Sequence, residues 1–482
     1  NRILNPIKLR IMKKFLLICA LSLLCFSSLQ GQTSVHGRVV VHPENRFLMY
    51  EDGTPFFWLG DTAWQMIHRH TLASARVYMA DRAMKGFNVL QTVCLAEHGG
   101  LSSPNANGDW AFLDEEFTKP NDKYFDHIEN LVDLADSLGI VIGLLPTWGD
   151  KINLKWGPGP VIFDTEEKAE NYGKYVGKRF GQKKNIIWIL GGDRPADGCE
   201  NIVRAMARGI AIGISGKEDY STCLMTYHPW GGTSCTKWFT DEPWLDFYMQ
   251  QNGHPYDVPL WDRILADYNN AKPTRPVLDG EPLYDEHAID FDMKKNGVST
   301  DYHTRRYFYH EVFSGACGHT FGSTGVWQVY DPDKYKPAGD VFTRWEESLG
   351  RIASYQMGYG KELILSRPYF TRIPDQSMLL ESYDHLDRIT ATRDRDRTYA
   401  FIYTERGKPI QVDLTTIGKG EEVTVWWFDV RSGRSIPLGN FKRVKSAVFT
   451  PQTKGTGNDW VLVIDDPAAG YPAPGTPIEQ NR

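Results

Sequence analysis

The chain is poor in cysteine, with 7 in 482 residues, two of which, Cys19 and Cys25, lie near the amino terminus. The remaining set, Cys94, Cys199, Cys223, Cys235 and Cys317, is odd in number and contains no Cys-x-x-Cys pair. That excludes a disulfide framework and a thiolate zinc site; buried free thiols are expected, with a Cys223 to Cys235 loop bridge as the alternative. A His-Glu-x-x-His metal motif is missing. So is any Asn-Glu dipeptide, the pair that many barrel glycosidases carry at the end of their fourth strand. No segment after residue 32 offers the roughly 18 uninterrupted apolar residues of a membrane-spanning helix. Charge of one sign is not concentrated either. Along the chain 54 Lys and Arg face 60 Asp and Glu, a net charge of −6, so no basic stripe recommends a nucleic acid partner.

Aromatic residues, by contrast, are plentiful. They make up 13% of the chain, and many of the 15 Trp follow directly on apolar runs. Most are expected in the core, and the others supply flat apolar faces on which sugar rings can stack. The amino-terminal segment is of another kind. From Met12 it reads Lys13-Lys14, an apolar run from Phe15 to Phe26, then Ser27-Ser28-Leu29-Gln30-Gly31-Gln32. This is the pattern of a secretory signal peptide, with residues 1–11 ahead of the start codon, and it predicts a secreted or periplasmic protein. A lipid anchor at Cys25 is disfavoured by Leu24, where such processing needs a small residue.

At this length two or three structural units are expected. Between about residues 33 and 365 eight apolar, β-branched runs follow one another: Phe56 to Asp61, Val89 to Leu95, Val141 to Trp148, Ile186 to Asp193, Leu224 to Pro229, Phe247 to Gln251, Pro276 to Glu281 and His319 to Ser323. Their continuous hydrophobicity fits parallel strands buried on both faces. Segments of helical spacing fill most gaps. In Lys123 to Leu138, for example, Phe125, Ile128, Leu131, Val132 and Ala135 make one apolar stripe, and Gly139 is placed to end the helix. The gap from Lys237 to Leu245 leaves room only for a short helix. This alternation predicts an α/β fold, a (β/α)8 TIM barrel, with a hairpin from Gly37 to Tyr50 at its floor. From 366 to 466 helical spacing gives way to short strands with Asp-Arg-Asp, Arg-Ser-Gly and Thr-Gly-Asn turns, which predicts a small antiparallel β-sandwich. The stretch 467–482, rich in Pro, Ala and Gly, reads as a disordered tail.

A closed barrel gathers the ends of these runs into one ring, and barrel enzymes place their chemistry there. The ring is acidic and aromatic: Asp61 with Trp64, Glu97 with His98, Trp148 with Asp150, Asp193, His228 with Trp230, Gln250 to His254, Glu281 with Tyr284, and His319. Glycosidic cleavage needs one carboxylic acid to protonate the departing oxygen and a second carboxylate to attack the anomeric carbon or activate water. Asp193 is placed for the first role, its pKa lifted by apolar surroundings. Glu281 is placed for the second, kept ionised by donors such as Tyr284 or His228. Asp61, Trp64, Glu97, His98, Trp148, His228, Trp230, Tyr284 and His319 are expected to contact substrate. The blander alternative makes Asp193 a helix N-cap before Arg194-Pro195 and Glu281 a structural group. Carboxyl groups roughly 5 to 5.5 Å apart would imply retention of configuration, and roughly 6.5 to 9.5 Å inversion.

Leu-Gly-Asp-Thr-Ala-Trp (59–64), Leu-Pro-Thr-Trp-Gly (145–149), Trp-Ile-Leu-Gly-Gly-Asp (188–193), Tyr-His-Pro (227–229) and Gly-Glu-Pro (280–282) resemble the apiosidase-like glycoside hydrolases of family 140. The resemblance runs from about residue 37 to 465 and includes a carboxyl-terminal module type described as collagen-binding. It implies a secreted enzyme that cuts apiosyl linkages in the side chains of the pectin rhamnogalacturonan II with an Asp/Glu pair, here Asp193 and Glu281. An oligosaccharide is then the partner, and no cofactor or metal is called for. Two rivals remain: a barrel that binds polysaccharide without cutting it, and a metal-dependent barrel enzyme in which Glu97, His98, Asp193, Glu281 and His319 hold a divalent cation.

Overall fold

Parallel strands whose two faces are both apolar can bury themselves only between a packed interior and a layer of helices, and that is the arrangement found in the computed structural model of this protein. It describes residues 35–480 except Ser382 and Asp384, so the expected signal peptide lies outside the described residues. Three short strands come first: β1 (Val39–Val41), β2 (Leu48–Tyr50) and β3 (Pro55–Phe56). Their Val39, Leu48, Tyr50 and Phe56 pack into the barrel interior with Trp58, Val89 and Val141, so this hairpin plugs the barrel floor as expected. The barrel strands are β4 (Trp58–Thr62), β5 (Val89–Val93), β6 (Val141–Leu145), β7 (Ile186–Gly191), β8 (Met225–His228), β10 (Tyr248–Gln251), β11 (Val277–Asp279) and β12 (Gly318–Phe321).

Six of these strands form one parallel ladder in the order β12-β4-β5-β6-β7-β8, and β10 pairs in parallel with β11. Two backbone hydrogen bonds join the pieces, Asp246 N–H to Met225 O at one seam and Cys317 N–H to Val277 O at the other, both 2.9 Å. The main helices are α1 (Leu72–Met84), α2 (Asp122–Ser137), α3 (Glu166–Phe180), α4 (Glu200–Ser215), α5 (Leu260–Asn270), α6 (Asp301–Phe313) and α7 (Ile352–Leu365). The segment from 237 to 245 forms no α-helix. A short strand β9 (Thr233–Ser234), antiparallel to β10, and a single 3-10 turn at Cys235–Lys237 connect the fifth and sixth barrel strands instead.

The second unit comprises β13 (Arg372–Pro374), β14 (Ile389–Asp394), β15 (Tyr399–Thr404), β16 (Ile410–Val412), β17 (Glu422–Asp429), β18 (Arg434–Lys442), β19 (Ala447–Phe449) and β20 (Trp460–Asp465). Six of them make an antiparallel sheet in the order β13-β14-β15-β20-β17-β18, and β16 pairs with β19. Strand β15 is buried along its whole length because each face has an apolar neighbour. Its Ala400 and Ile402 pack with Ile410, Val412 and Phe449, while Tyr399, Phe401 and Tyr403 pack against Phe308, Val312 and Phe313 of α6.

Charged groups close this contact between the units. Arg305 of α6 donates twice to Asp459, at 2.9 and 2.8 Å. Glu405 is paired with Arg306 and His310 and accepts from Tyr302 Oη at 2.6 Å, all out of contact with water. The stretch 467–480, expected to lack structure, is bound to the protein: Tyr471 Oη lies 2.7 Å from Thr398 Oγ1, and the Gln480 amide meets Leu365 O and Tyr369 N–H at 3.0 and 2.9 Å. Composition alone misread it because its order comes from a partner surface. Removing one member of a buried ion pair leaves the other without a counter-charge, so Glu405→Leu is expected to lower unfolding stability by about 3–5 kcal/mol. The midpoint of chemical unfolding checks this.

Candidate active site

All eight strands point their carboxyl ends at one cavity of about 900 Å³. Its lining includes Trp64, Glu97, His98, Trp148, Trp156, Asp193, Trp230, His254, Glu281, Tyr284 and Trp327. The loops after β5 and β6 supply Glu97, His98 and Trp156 to the wall. Trp64 and Trp148 meet at the base with ring centroids 5.0 Å apart, and Trp156 and Trp230 make a second aromatic surface with centroids 5.5 Å apart. The indole N–H groups of Trp148, Trp230 and Trp327 and the Gln251 side-chain oxygen are buried and have no hydrogen-bond partner among the described residues. Buried polar atoms are normally paired. The flat apolar rings of Trp64, Trp148, Trp156 and Trp230 beside carboxyl groups suit a ligand that is apolar on its ring faces and hydroxylated at its edges.

Asp193 follows two glycines at the end of β7. Gly191 and Gly192 have φ of +84° and +122°, and a Cβ on Gly191 would stand 2.5 Å from the His228 carbonyl. Only glycine tolerates both conditions. Asp193 itself is held at φ +49°, an uncommon conformation for a residue with a side chain and one that clusters at functional sites. Its Oδ1 accepts from Gln251 Nε2 at 3.2 Å and its Oδ2 from Arg194 Nη1 at 3.1 Å. Burial, and then the negative charge of Glu281, push its pKa up to about 6 against the opposing pull of Arg194. The N-cap alternative fails, because α4 begins only at Glu200 and its N-cap is Cys199.

Glu281 lies just beyond β11 and is 6% exposed. Burial by itself would raise its pKa, but the surrounding donors prevail and hold the carboxyl far below the usual range. His228 Nε2 is 3.3 Å from Oε2, His254 Nε2 is 3.6 Å from Oε1, and Tyr284 Oη donates to Oε1 at 2.6 Å. Trp64 Nε1 in turn donates to the Tyr284 oxygen at 2.8 Å. His228 has a carbonyl oxygen of Pro229 2.9 Å from Nδ1 and a carboxylate beside Nε2. The Asp193 N–H also points at Nδ1, at 3.3 Å, so it is the carboxylate beside Nε2 that outweighs burial and raises the ring pKa. The pair of carboxyls therefore divides into one disposed to keep its proton and one disposed to lose it.

Trp64, Glu97, His98, Trp148, Trp230 and Tyr284 thus share the cavity with Asp193 and Glu281. His228 is fully buried and meets Glu281 from below, a carboxylate partner more than a substrate contact. Asp61 and His319 correct the expectation. Asp61 points through the barrel wall to α1, where Arg82 Nε and Tyr78 Oη hold it at 2.5 and 2.8 Å. His319 is likewise buried, 3.1 Å from Glu311 of α6, so the five-residue metal set does not converge. Both residues fall on the outward-facing alternation of their strands. His68-Arg69-His70, a His-x-His triplet just past β4, is no ligand pair either: His68 Nε2 meets Ser103 and His70 Nδ1 meets Ser74. Sequence reasoning placed His254 in the ring without singling it out; one signal for it was its place three residues beyond β10.

An eight-stranded barrel with two opposed carboxyls in an aromatic cleft defines a glycoside hydrolase. The comparisons agree. Residues 42–371 match the family described as "Apiosidase-like, catalytic domain", and the chain belongs to it. Residues 373–465 match "Putative collagen-binding domain of a collagenase". A solved glycoside hydrolase family 5 structure from Bacteroides vulgatus ATCC 8482 is 31% identical, covering 90% of this chain and 94% of its own, with a TM-score of 0.81. A second structure, titled only glycoside hydrolase, is also 31% identical over 90% of this chain and 98% of its own, with a TM-score of 0.81. No curated protein matches the chain.

The positive charge of His228 keeps Glu281 ionised in acid. His228→Asn is expected to move the acidic limb of the pH–rate profile to higher pH and the basic limb upward as well, because the His228 charge also lowers the pKa of Asp193. Initial rates across pH on an aryl glycoside check this.

Proposed function

We propose that this glycoside hydrolase removes apiosyl residues from the side chains of rhamnogalacturonan II outside the cytoplasm, by a retaining mechanism. Asp193 is the acid/base and Glu281 the nucleophile. The observation that carries the reading is the opposite electrostatic surroundings of the two carboxyls in one cavity: Asp193 raised to about 6, Glu281 held low by His228, His254 and Tyr284. In the first step the Glu281 carboxylate attacks the anomeric carbon as the Asp193 proton passes to the departing oxygen, which breaks the glycosidic bond. In the second step Asp193, now a carboxylate, takes a proton from water, and the resulting attack releases the sugar and restores both groups. The family match supports the choice of apiose. The expected export of the chain rests on the amino-terminal pattern from Met12 to Gln32.

A general acid must carry its proton, so kcat/KM is expected to fall as pH rises through about 6, the value to which Asp193 is pushed. Asp193→Asn should abolish that limb and lower kcat on pectic oligosaccharide about 10²–10⁴-fold. Glu281→Gly should be inactive on p-nitrophenyl apioside. Added azide should restore turnover and yield a glycosyl azide of inverted configuration, because azide enters from the side the carboxylate occupied. Azide rescue that fails in Glu281→Gly, or release from the pectic oligosaccharide of a sugar other than apiose, would sink the nucleophile assignment or the substrate respectively.

A further inference from the structure

Behind the barrel wall lie two carboxyl groups that the reaction as described does not use. Leu278 of β11 points into the barrel interior, so its neighbour Asp279 points outward, toward α6, where Glu311 meets it. Both are 0% exposed. Asp279 Oδ1 accepts the Glu281 N–H at 2.9 Å, and its Oδ2 accepts the Asn252 N–H at 3.2 Å. Glu311 Oε1 accepts from the Asn252 side chain at 2.9 Å, and its Oε2 lies 3.1 Å from His319 Nδ1. The two carboxyl groups meet at Asn252, whose backbone N–H goes to Asp279 and whose side-chain amide goes to Glu311.

We propose that Asp279 and Glu311 share one proton and together form the positioning unit of Glu281. The inference rests on the reading of Glu281 as the nucleophile. Two neighbouring carboxyl groups that are both out of contact with water and held on one asparagine cannot both be charged, so one of them carries a proton. The surroundings agree in direction: burial, and then the charge of Glu311, keep the Asp279 carboxyl protonated well above the ordinary range, and burial raises Glu311 to about 7. The unit also reaches both sides of the nucleophile. It holds the backbone of Glu281 directly, and through Asn252 it holds the loop that carries His254, whose ring lies against Glu281. On its outer side α6 is fixed to the second domain by Arg305, Arg306 and His310. Glu311 is therefore set from outside the barrel, and the aim of the nucleophile is tied to the packing of the two domains.

Asp279→Ala leaves two buried N–H groups unpaired and frees the turn that carries Glu281. It is expected to lower kcat on p-nitrophenyl apioside about a hundredfold, the cost of a misplacement near 1 Å, with KM within about threefold. Glu311→Gln keeps an acceptor for the Asn252 side chain and a hydrogen between the two side chains, so it should keep kcat within about threefold of the parent, whereas Asp279→Asn keeps only one of the two acceptor oxygens and should fall between the parent and Asp279→Ala. Infrared difference spectra of the parent minus Asp279→Asn at pH 7 should show the C=O stretch of one protonated carboxyl. This readout needs neither substrate nor a folded alanine variant. Absence of that band, or a Glu311→Gln enzyme as impaired as Asp279→Ala, would overturn the shared proton. An Asp279→Ala enzyme that melts early but keeps its kcat would reduce the pair to a structural role. Failure of azide rescue in Glu281→Gly would strike the nucleophile reading instead, and the infrared result stands apart from it.

Discussion

A carboxylate removed from water must be met by protons or positive charge, and the active site is built around meeting that need at Glu281. The donors come from different strands: His228 from the fifth, His254 from beyond the sixth, Tyr284 from beyond the seventh, and Trp64 from beyond the first through the tyrosine oxygen. No two of them are local in sequence, so only a closed ring of strands brings them to one point. Asp193 depends on the same arrangement, because the retained charge of Glu281 is part of what keeps its proton on. Division of labour between two similar side chains is thus a property of the barrel, and neither residue has it alone.

Support for that point extends outward in layers. Gly191 and Gly192 let Asp193 approach between the His228 carbonyl and the Trp148 ring, where a side chain would collide. Arg194 bridges Asp193 and Glu97 and so links two loops of the rim. Farther out, α6 is packed between the barrel and the antiparallel sheet, and its charged residues are satisfied on both sides. The second domain makes this contact with the face of β15 that carries Tyr399, Phe401 and Tyr403. Its place against the barrel is therefore part of the catalytic domain's own stability.

Much of this was readable from residue order. All eight barrel strands fall within two or three residues of the apolar runs, because strands buried on both faces need continuous Val, Ile and Leu, and their ends need polar residues. The two carboxyls were readable from where those runs stop. Asp61 and His319 were not, for a related reason. When both faces of a strand are apolar, the sequence carries no alternation that separates cavity from wall, and a polar residue near a strand end looks the same on either side. The tail was misjudged because its composition is that of a solvated segment, whereas its hydrogen bonds lie on a surface assembled from distant parts of the chain.

Local pattern, then, was enough for the fold class and the number of barrel strands. These follow from nearest-neighbour chemistry and the period of hydrophobicity. Which side chains surround each acid, which histidine has its pKa raised and which polar groups face the cleft followed only from the assembled ring. A pKa and an orientation are set by whatever lies within a few ångströms, and here those neighbours are supplied by strands many tens of residues apart.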